Sequence, residues 1–315
     1  MHEKHMCERS PMLDGALFFP VTPFGPGGGL NLPALEKHVR AGVAAGAGAV
    51  FPACGTGEFH ALSLREHADV VRATVEAVAG AVPVFAGTGG SLPTAVAGAA
   101  SAREAGADGL LLLPPYLVTA PQNGLVEYTR QVADAAGLPL IVYNRANARF
   151  GLEAAVKVAA IDNVVGFKDG VGDIETLSRT VVAIRQSLRD SGKPFQFFNG
   201  LPTAEASVPA YRAAGVPLYS SAVFCFAPEI SLAFHRAVTT GDEKRVDALQ
   251  AGFFHPLVEL RIKVPGHAVS LVKAGVRLRG LEAGAVRPPL TDPAPEDLGE
   301  LSSLLERGLE LAGKA

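Results

Sequence analysis

The sequence predicts a (β/α)8 TIM barrel with a C-terminal helical appendage. Three observations point there. The first is a recurring phrase in which Ala-Gly precedes an apolar run: Ala45-Gly46 before AGAVFPA, Ala105-Gly106 before ADGLLLLPP, Ala136-Gly137 before LPLIVYN, and Ala214-Gly215 before VPLYSS. The glycine reads as a left-handed helix cap. The run after it reads as a strand buried on both faces, as in a parallel sheet. The second is spacing, since the first three copies sit two units and then one unit apart if a βα unit takes about 30 residues. The third is length, because 315 residues hold one barrel of about 250 plus an appendage.

Taken in order, the chain opens with the apolar run Ala16–Val21, a first strand. The glycine-rich turn Gly25–Gly29 leads from it to a helix, Leu32–Ala45. Strands follow at Ala49–Pro52, Pro83–Ala86, Gly109–Leu113, Leu138–Tyr143, Val164–Lys168, Phe195–Asn199 and Pro217–Ser221. Helical stretches separate them at Leu64–Val78, Thr94–Ala105, Leu125–Ala136, Leu152–Ala160 and Ile174–Leu188. Eight alternating units favour a closed barrel over an open doubly wound sheet. The rest reads as helix only: one that closes the barrel, then a bundle ending at Leu298–Leu311. The expected divisions are a flexible tail over 1–12, the barrel over 13–240 and the helical bundle over 241–315.

Composition narrows the function. Hydrophobic residues are 48% and charged residues 19%, enough for a large core and too apolar for disorder. A net charge of −3 gives no overall basic footprint for nucleic acid or an anionic membrane. Cys7, Cys54 and Cys225 are far apart and form no CxxC, which argues against a disulfide framework or structural zinc and for a reducing cytoplasm. Met1–Pro11 is polar and lacks a signal-peptide core, and no run of about 20 apolar residues is present to span a bilayer. His2 and His5 read as part of the tail. His60 and His67 do not fit HExxH, and GTGE (Gly55–Glu58) and GTGG (Gly87–Gly90) do not fit a nucleotide-binding loop. No metal is expected.

Barrel chemistry sits at the C-terminal strand ends. Those ends are Thr22, Gly55-Thr56, Thr88, Tyr116, Tyr143-Asn144-Arg145, Lys168-Asp169, Asn199 and Ser220-Ser221. Lys168 stands out because it terminates the apolar run NVVGFK. One reading pairs it with Asp169 or Asp173, or lets it reach the rim. The other makes it an amine that desolvation keeps partly uncharged, ready to attack a ketone and form an imine. Tyr143 ends the neighbouring strand and offers a phenol to shuttle protons, or merely packs on the rim. Gly55 and Thr56 offer backbone N–H groups and a hydroxyl to a carboxylate, or form only a tight turn with Glu58 as a solvated charge. Arg145 could hold a second carboxylate or lie at the surface. Asn199, Ser220 and Ser221 bind substrate hydroxyls or satisfy loop backbone. Cys54 reads as a small buried filler.

Five motifs follow one another along strands one to six: FFPVTPF (Phe18–Phe24), CGTGEF (Cys54–Phe59), LLPPY (Leu112–Tyr116), IVYNR (Ile141–Arg145) and GFKDG (Gly166–Gly170). With these motifs the chain resembles the Schiff-base-forming lyases of the dihydrodipicolinate synthase and N-acetylneuraminate lyase family. The resemblance implies that Lys168 forms the imine, that Tyr143 is the phenol beside it, and that Gly55 and Thr56 hold the carboxylate next to the ketone. The synthase branch carries Thr where this chain has Gly55, and a second tyrosine where it has Leu117, so that branch's proton relay is incomplete here. CGTGEF, YNRAN (Tyr143–Asn147), FNGLPTAE (Phe198–Glu205) and Ser220–Ala222 instead look like the branch that dehydrates and decarboxylates 5-dehydro-4-deoxyglucarate to 2,5-dioxopentanoate in glucarate and galactarate catabolism. Asn199 and Ser221 would then touch substrate. The implied partner is a small keto sugar-diacid, the implied assembly a homo-oligomer (dimer or tetramer), and no cofactor is implied because the lysine is the electron sink. The alternatives are a pyruvate-dependent aldolase or synthase on the same scaffold, and a non-catalytic keto-acid sensor.

Overall fold

A computed structural model describes residues 12–313. The tail expected over 1–12, with His2, His5 and Cys7, thus lies almost wholly outside the described residues. Eight parallel strands form the sheet: β1 (Ala16–Phe18), β2 (Ala47–Val50), β3 (Phe85–Thr88), β4 (Gly109–Leu112), β5 (Leu140–Asn144), β6 (Val164–Asp169), β7 (Gln196–Asn199) and β8 (Leu218–Ser221). Each pairs with the next, and β8 returns to β1. The ring closes between β2 and β3 through a parallel bridge from Val50 to Val84, where the Val50 N–H donates to Pro83 O at 2.9 Å.

The helices between strands are α1 (Leu32–Ala44), α2 (Leu64–Val78), α3 (Leu92–Glu104), α4 (Gln122–Ala136), α5 (Leu152–Ala159), α6 (Ile174–Leu188) and α7 (Val208–Ala213). Their starts are written locally. Ser63 and Glu66 form a reciprocal capping box on α2, and the Asp173 carboxylate accepts from the Thr176 N–H at the start of α6. The glycines of the recurring phrase all have positive φ, as the helix-cap reading requires.

Strand alternation sorts side chains into two layers. Phe18, Val50, Leu110, Val142, Phe167, Phe197 and Tyr219 face outward to the helices. Leu17, Phe19, Phe51, Phe85, Leu111, Ile141, Tyr143 and Phe198 fill the interior. On β6 the alternation changes phase: Leu140 pairs with Val164, but Ile141 pairs with Gly166, so a bulge absorbs Val165. Val164 therefore packs outward while Lys168, four residues on, points inward among Phe19 and Tyr143. Without the bulge, residues 164 and 168 would share a face.

Beyond β8, α8 (Pro228–Thr240) packs against the barrel beside β1. Then α9 (Glu243–Leu249) runs through a π-helical turn at Gln250–Phe254 into α10 (His255–Ile262), followed by α11 (His267–Leu278) and α12 (Pro295–Gly313). Leu249, Phe253, Phe254, Leu260 and Leu301 are fully buried among these helices. Gly308 lets α12 lie directly on α8, since a Cβ there would come within 2.5 Å of Ile230 and Phe253. Among the described residues, no helix is long and apolar enough to cross a membrane.

Candidate active site

A cavity of about 290 Å³ opens at the C-terminal ends of the strands, near the lower end of the roughly 300–1,000 Å³ typical of small-molecule sites. Lys168 lies at its base, 5% exposed. Its Nζ sits 4.1 Å from the Phe19 ring centre and 4.7 Å from that of Tyr143. Neither expected carboxylate reaches it. Asp169 points to the opposite face of β6 and accepts from Asn144 Nδ2 at 2.7 Å and the Tyr211 hydroxyl at 2.6 Å. Asp173 is occupied capping α6. Cys54 is no counter-ion either, because burial pushes its thiol up to about 12. Among the described residues no carboxylate pairs with Lys168; burial pushes it down to about 7, nearby Cys54 opposes that shift and the like charge of Arg145 adds to it.

Tyr143 pairs in register with Lys168 across β5 and β6. Its hydroxyl donates to Gly200 O at 2.5 Å and accepts from Arg145 Nη1 at 2.7 Å. Burial pushes the phenol up, and the charge and hydrogen bond of Arg145 oppose that. Two motif glycines make room for this pair. A Cβ on Gly200 would meet Tyr143 at 2.6 Å and Lys168 at 2.7 Å, and one on Gly170 would meet Tyr143 at 2.8 Å. The glycines of FNG and KDG are thus explained by close backbone approach.

Gly55 and Thr56 line the cavity on the loop after β2, four strands round the ring from β6. The loop is anchored from beneath, where Thr22 Oγ1 donates to Gly57 O at 2.6 Å. Glu58 overturns its expectation as a solvated charge. It is fully buried, 2.6 Å from Lys273 Nζ of α11, and its other oxygen accepts from the Arg287 N–H at 2.8 Å. It fastens the loop to the C-terminal helices. Arg145 is not at the free surface. It lines the cavity with one nitrogen held on the phenol.

The serine and asparagine expectations divide by strand parity. Ser220 faces inward and lines the cavity. Ser221 faces outward and is fully buried, its hydroxyl donating to Glu205 Oε1 at 2.5 Å and lying 2.8 Å from Ser231 Oγ. Asn199 also faces outward. Its Nδ2 donates to Ser207 Oγ at 2.8 Å and to Ala204 O at 3.2 Å, and its Oδ1 accepts from the Leu201 N–H at 3.0 Å. Neither borders the cavity, so direct substrate contact expected of Asn199 and Ser221 is corrected to holding the β7 and β8 loops. The register of Asn199 beside outward Asp169 is the reason. Alternation back from Phe198 could have revealed it.

The cavity also holds residues that strand ends could not reveal. Thr203 follows β7, and Arg261 and His267 come from the C-terminal helices. Arg261 Nη1 donates to Pro202 O and, at 2.9 Å, to Thr203 Oγ1. Among the described residues no Asp or Glu lines the cavity, whereas Lys168, Arg145 and Arg261 all do. Such a lining suits an anionic ligand with more than one negative charge.

Comparison with known proteins agrees with this geometry. Residues 12–307 match the sequence model of the dihydrodipicolinate synthetase family. A probable 5-dehydro-4-deoxyglucarate dehydratase 1 from Streptomyces coelicolor is 56% identical over 303 residues, covering 96% of this chain and 95% of that protein. A 5-dehydro-4-deoxyglucarate dehydratase from Pseudomonas putida is 42% identical over 300 residues, covering 95% of this chain and 97% of the other. The crystal structure of dihydrodipicolinate synthase from Bacillus clausii superposes with a TM-score of 0.85 at 27% identity, covering 93% of this chain and 97% of that one.

Proposed function

This chain belongs to the dihydrodipicolinate synthetase family, and we propose that it dehydrates and decarboxylates 5-dehydro-4-deoxyglucarate to 2,5-dioxopentanoate through an imine on Lys168. The observation that carries the mechanism is a buried lysine beside a phenol, in a cavity where the described residues supply cations but no carboxylate. The relatives supply the substrate.

Lys168 Nζ adds to the C5 ketone, and the resulting carbinolamine loses water to give an iminium. Tyr143, held by Arg145 and Gly200, relays the protons for that collapse. Gly55 and Thr56 seat the C6 carboxylate. A C4 proton leaves to form an enamine, which expels the C3 hydroxyl as water. The product iminium is conjugated from C3 to nitrogen. It can therefore accept the electron pair released when C1 departs from C2 as carbon dioxide. Protonation at C4, tautomerisation of the C2 enol to the aldehyde and hydrolysis free the lysine and the product. Loss of C6 has no comparable sink.

The test is to supply the substrate and identify products, with carbon label at C1 or C6. The expected result is 2,5-dioxopentanoate with labelled carbon dioxide from C1 only. Pyruvate release would support the aldolase alternative and refute this reading. A cytoplasmic location and homo-oligomeric assembly belong to the same proposal, the latter supported by the exposed run Tyr116–Leu117–Val118; sedimentation would test it.

A further inference from the structure

We propose that Arg261, carried by α10, recognises the carboxylate at the far end of the substrate, so that the C-terminal helices set the preference for a diacid over a simple 2-keto acid. This rests on the dehydratase reading and names the residue that would select its substrate class.

Three features of the cavity converge on this assignment. Arg261 is half-buried, and no carboxylate pairs with it among the described residues. Its Nη1 is fixed by Pro202 O and Thr203 Oγ1, while its Nη2 and Nε make no hydrogen bond within the described residues. The guanidinium is thus held in orientation with two donors to spare. Burial and the nearby Arg145 charge both push it down, a cost that a bound anion would relieve.

The other cavity groups have distinct tasks. Arg145 has a nitrogen on the Tyr143 hydroxyl. Gly55 and Thr56 stand across the ring from β6, suited to the carboxylate adjoining the ketone. A six-carbon diacid joined at C5 to Lys168 then directs its C1 end towards the mouth, where α10 crosses the β7 loop. A planar guanidinium with two free donors matches a carboxylate there. Contact made equally before and during the reaction lowers KM without raising kcat, and tight gripping of the departing group would slow its loss. The arginine should therefore be read in KM.

The experiment compares wild type with Arg261→Gln and Arg261→Lys. KM and kcat are measured with 5-dehydro-4-deoxyglucarate. In parallel, half-saturation by pyruvate, which lacks the distal carboxylate, is measured by borohydride trapping on Lys168. In Arg261→Gln, KM for the diacid should rise about 10- to 100-fold, the worth of a charge-assisted hydrogen bond. Its kcat should hold within about threefold, since uniform binding does not enter kcat. Pyruvate half-saturation should shift far less, and Arg261→Lys should recover part of the loss. An unchanged diacid KM overturns the inference. So does an equal shift for pyruvate, which would make Arg261 only a brace for the Pro202–Thr203 loop. If wild type traps neither compound on Lys168, the imine reading itself fails.

Discussion

Among the described residues two lysines are buried, and they differ in one respect. Lys168 and Lys273 are 5% and 0% exposed, and their ammonium groups lie 4.1 Å from the Phe19 ring and 3.9 Å from the Phe24 ring. Lys273 has Glu58 at 2.6 Å; Lys168 has no carboxylate partner among the described residues. Burial pushes both down, but for Lys273 the charge and hydrogen bond of Glu58 oppose it. Burial therefore does not by itself mark a reactive lysine. The missing counter-ion does, because it leaves desolvation free to populate the neutral amine. The paired lysine is structural: it ties the β2 loop to α11 over the mouth of the barrel.

The largest expected effect separates the two outright. Lys168→Met should abolish borohydride trapping and cut turnover on the order of 10⁴–10⁶-fold, as loss of a covalent nucleophile does. Lys273→Met should still trap ligand wherever it folds. Next, Tyr143→Phe should lower turnover about 10²–10⁴-fold while leaving the imine trappable, since it removes the proton relay and not the amine. An undiminished rate would remove Tyr143 from the mechanism. Glu58→Gln should then destabilise the fold by about 3–5 kcal/mol in denaturant melts, because it strands Lys273 as an unpaired buried charge. A loss under 1 kcal/mol would mean water reaches that pair.

The pH dependence sharpens the contrast. Lys168 falls from 10.5 to about 7 on folding, so the unfolded chain binds its proton more tightly between those values. The penalty for burying the charge is full below about pH 7 and is relieved as pH rises towards 10.5. Trapping should accelerate as pH passes about 7, and the Lys168→Met protein should lack that contribution to the slope of stability against pH. The smallest effect is on stability at neutral pH. Lys168→Met should melt higher than wild type at neutral pH, because it removes the unpaired buried charge. A loss of several degrees would contradict the absence of a partner.

The repeat, the helix caps and the apolar runs were legible because each depends on neighbours close in sequence. Lys168, Tyr143, Gly55 and Thr56 were legible too, since a barrel brings strand ends together whatever the loops do. Ser221 and Asn199 were misplaced because a strand end alternates, and only register decides which residue of a pair faces the cavity. Glu58 looked solvated because its partner lies 215 positions away.

The sequence by itself determined an eight-unit barrel and a lysine at the end of its sixth strand. Tertiary structure decided that this lysine points inward, through the bulge that absorbs Val165, and that no carboxylate of the described residues meets it. It also brought Arg261 from the C-terminal helices to the same cavity. Periodicity encodes local conformation. Interstrand register and helix docking arise from packing between segments distant in the chain, for which no short stretch carries the signal.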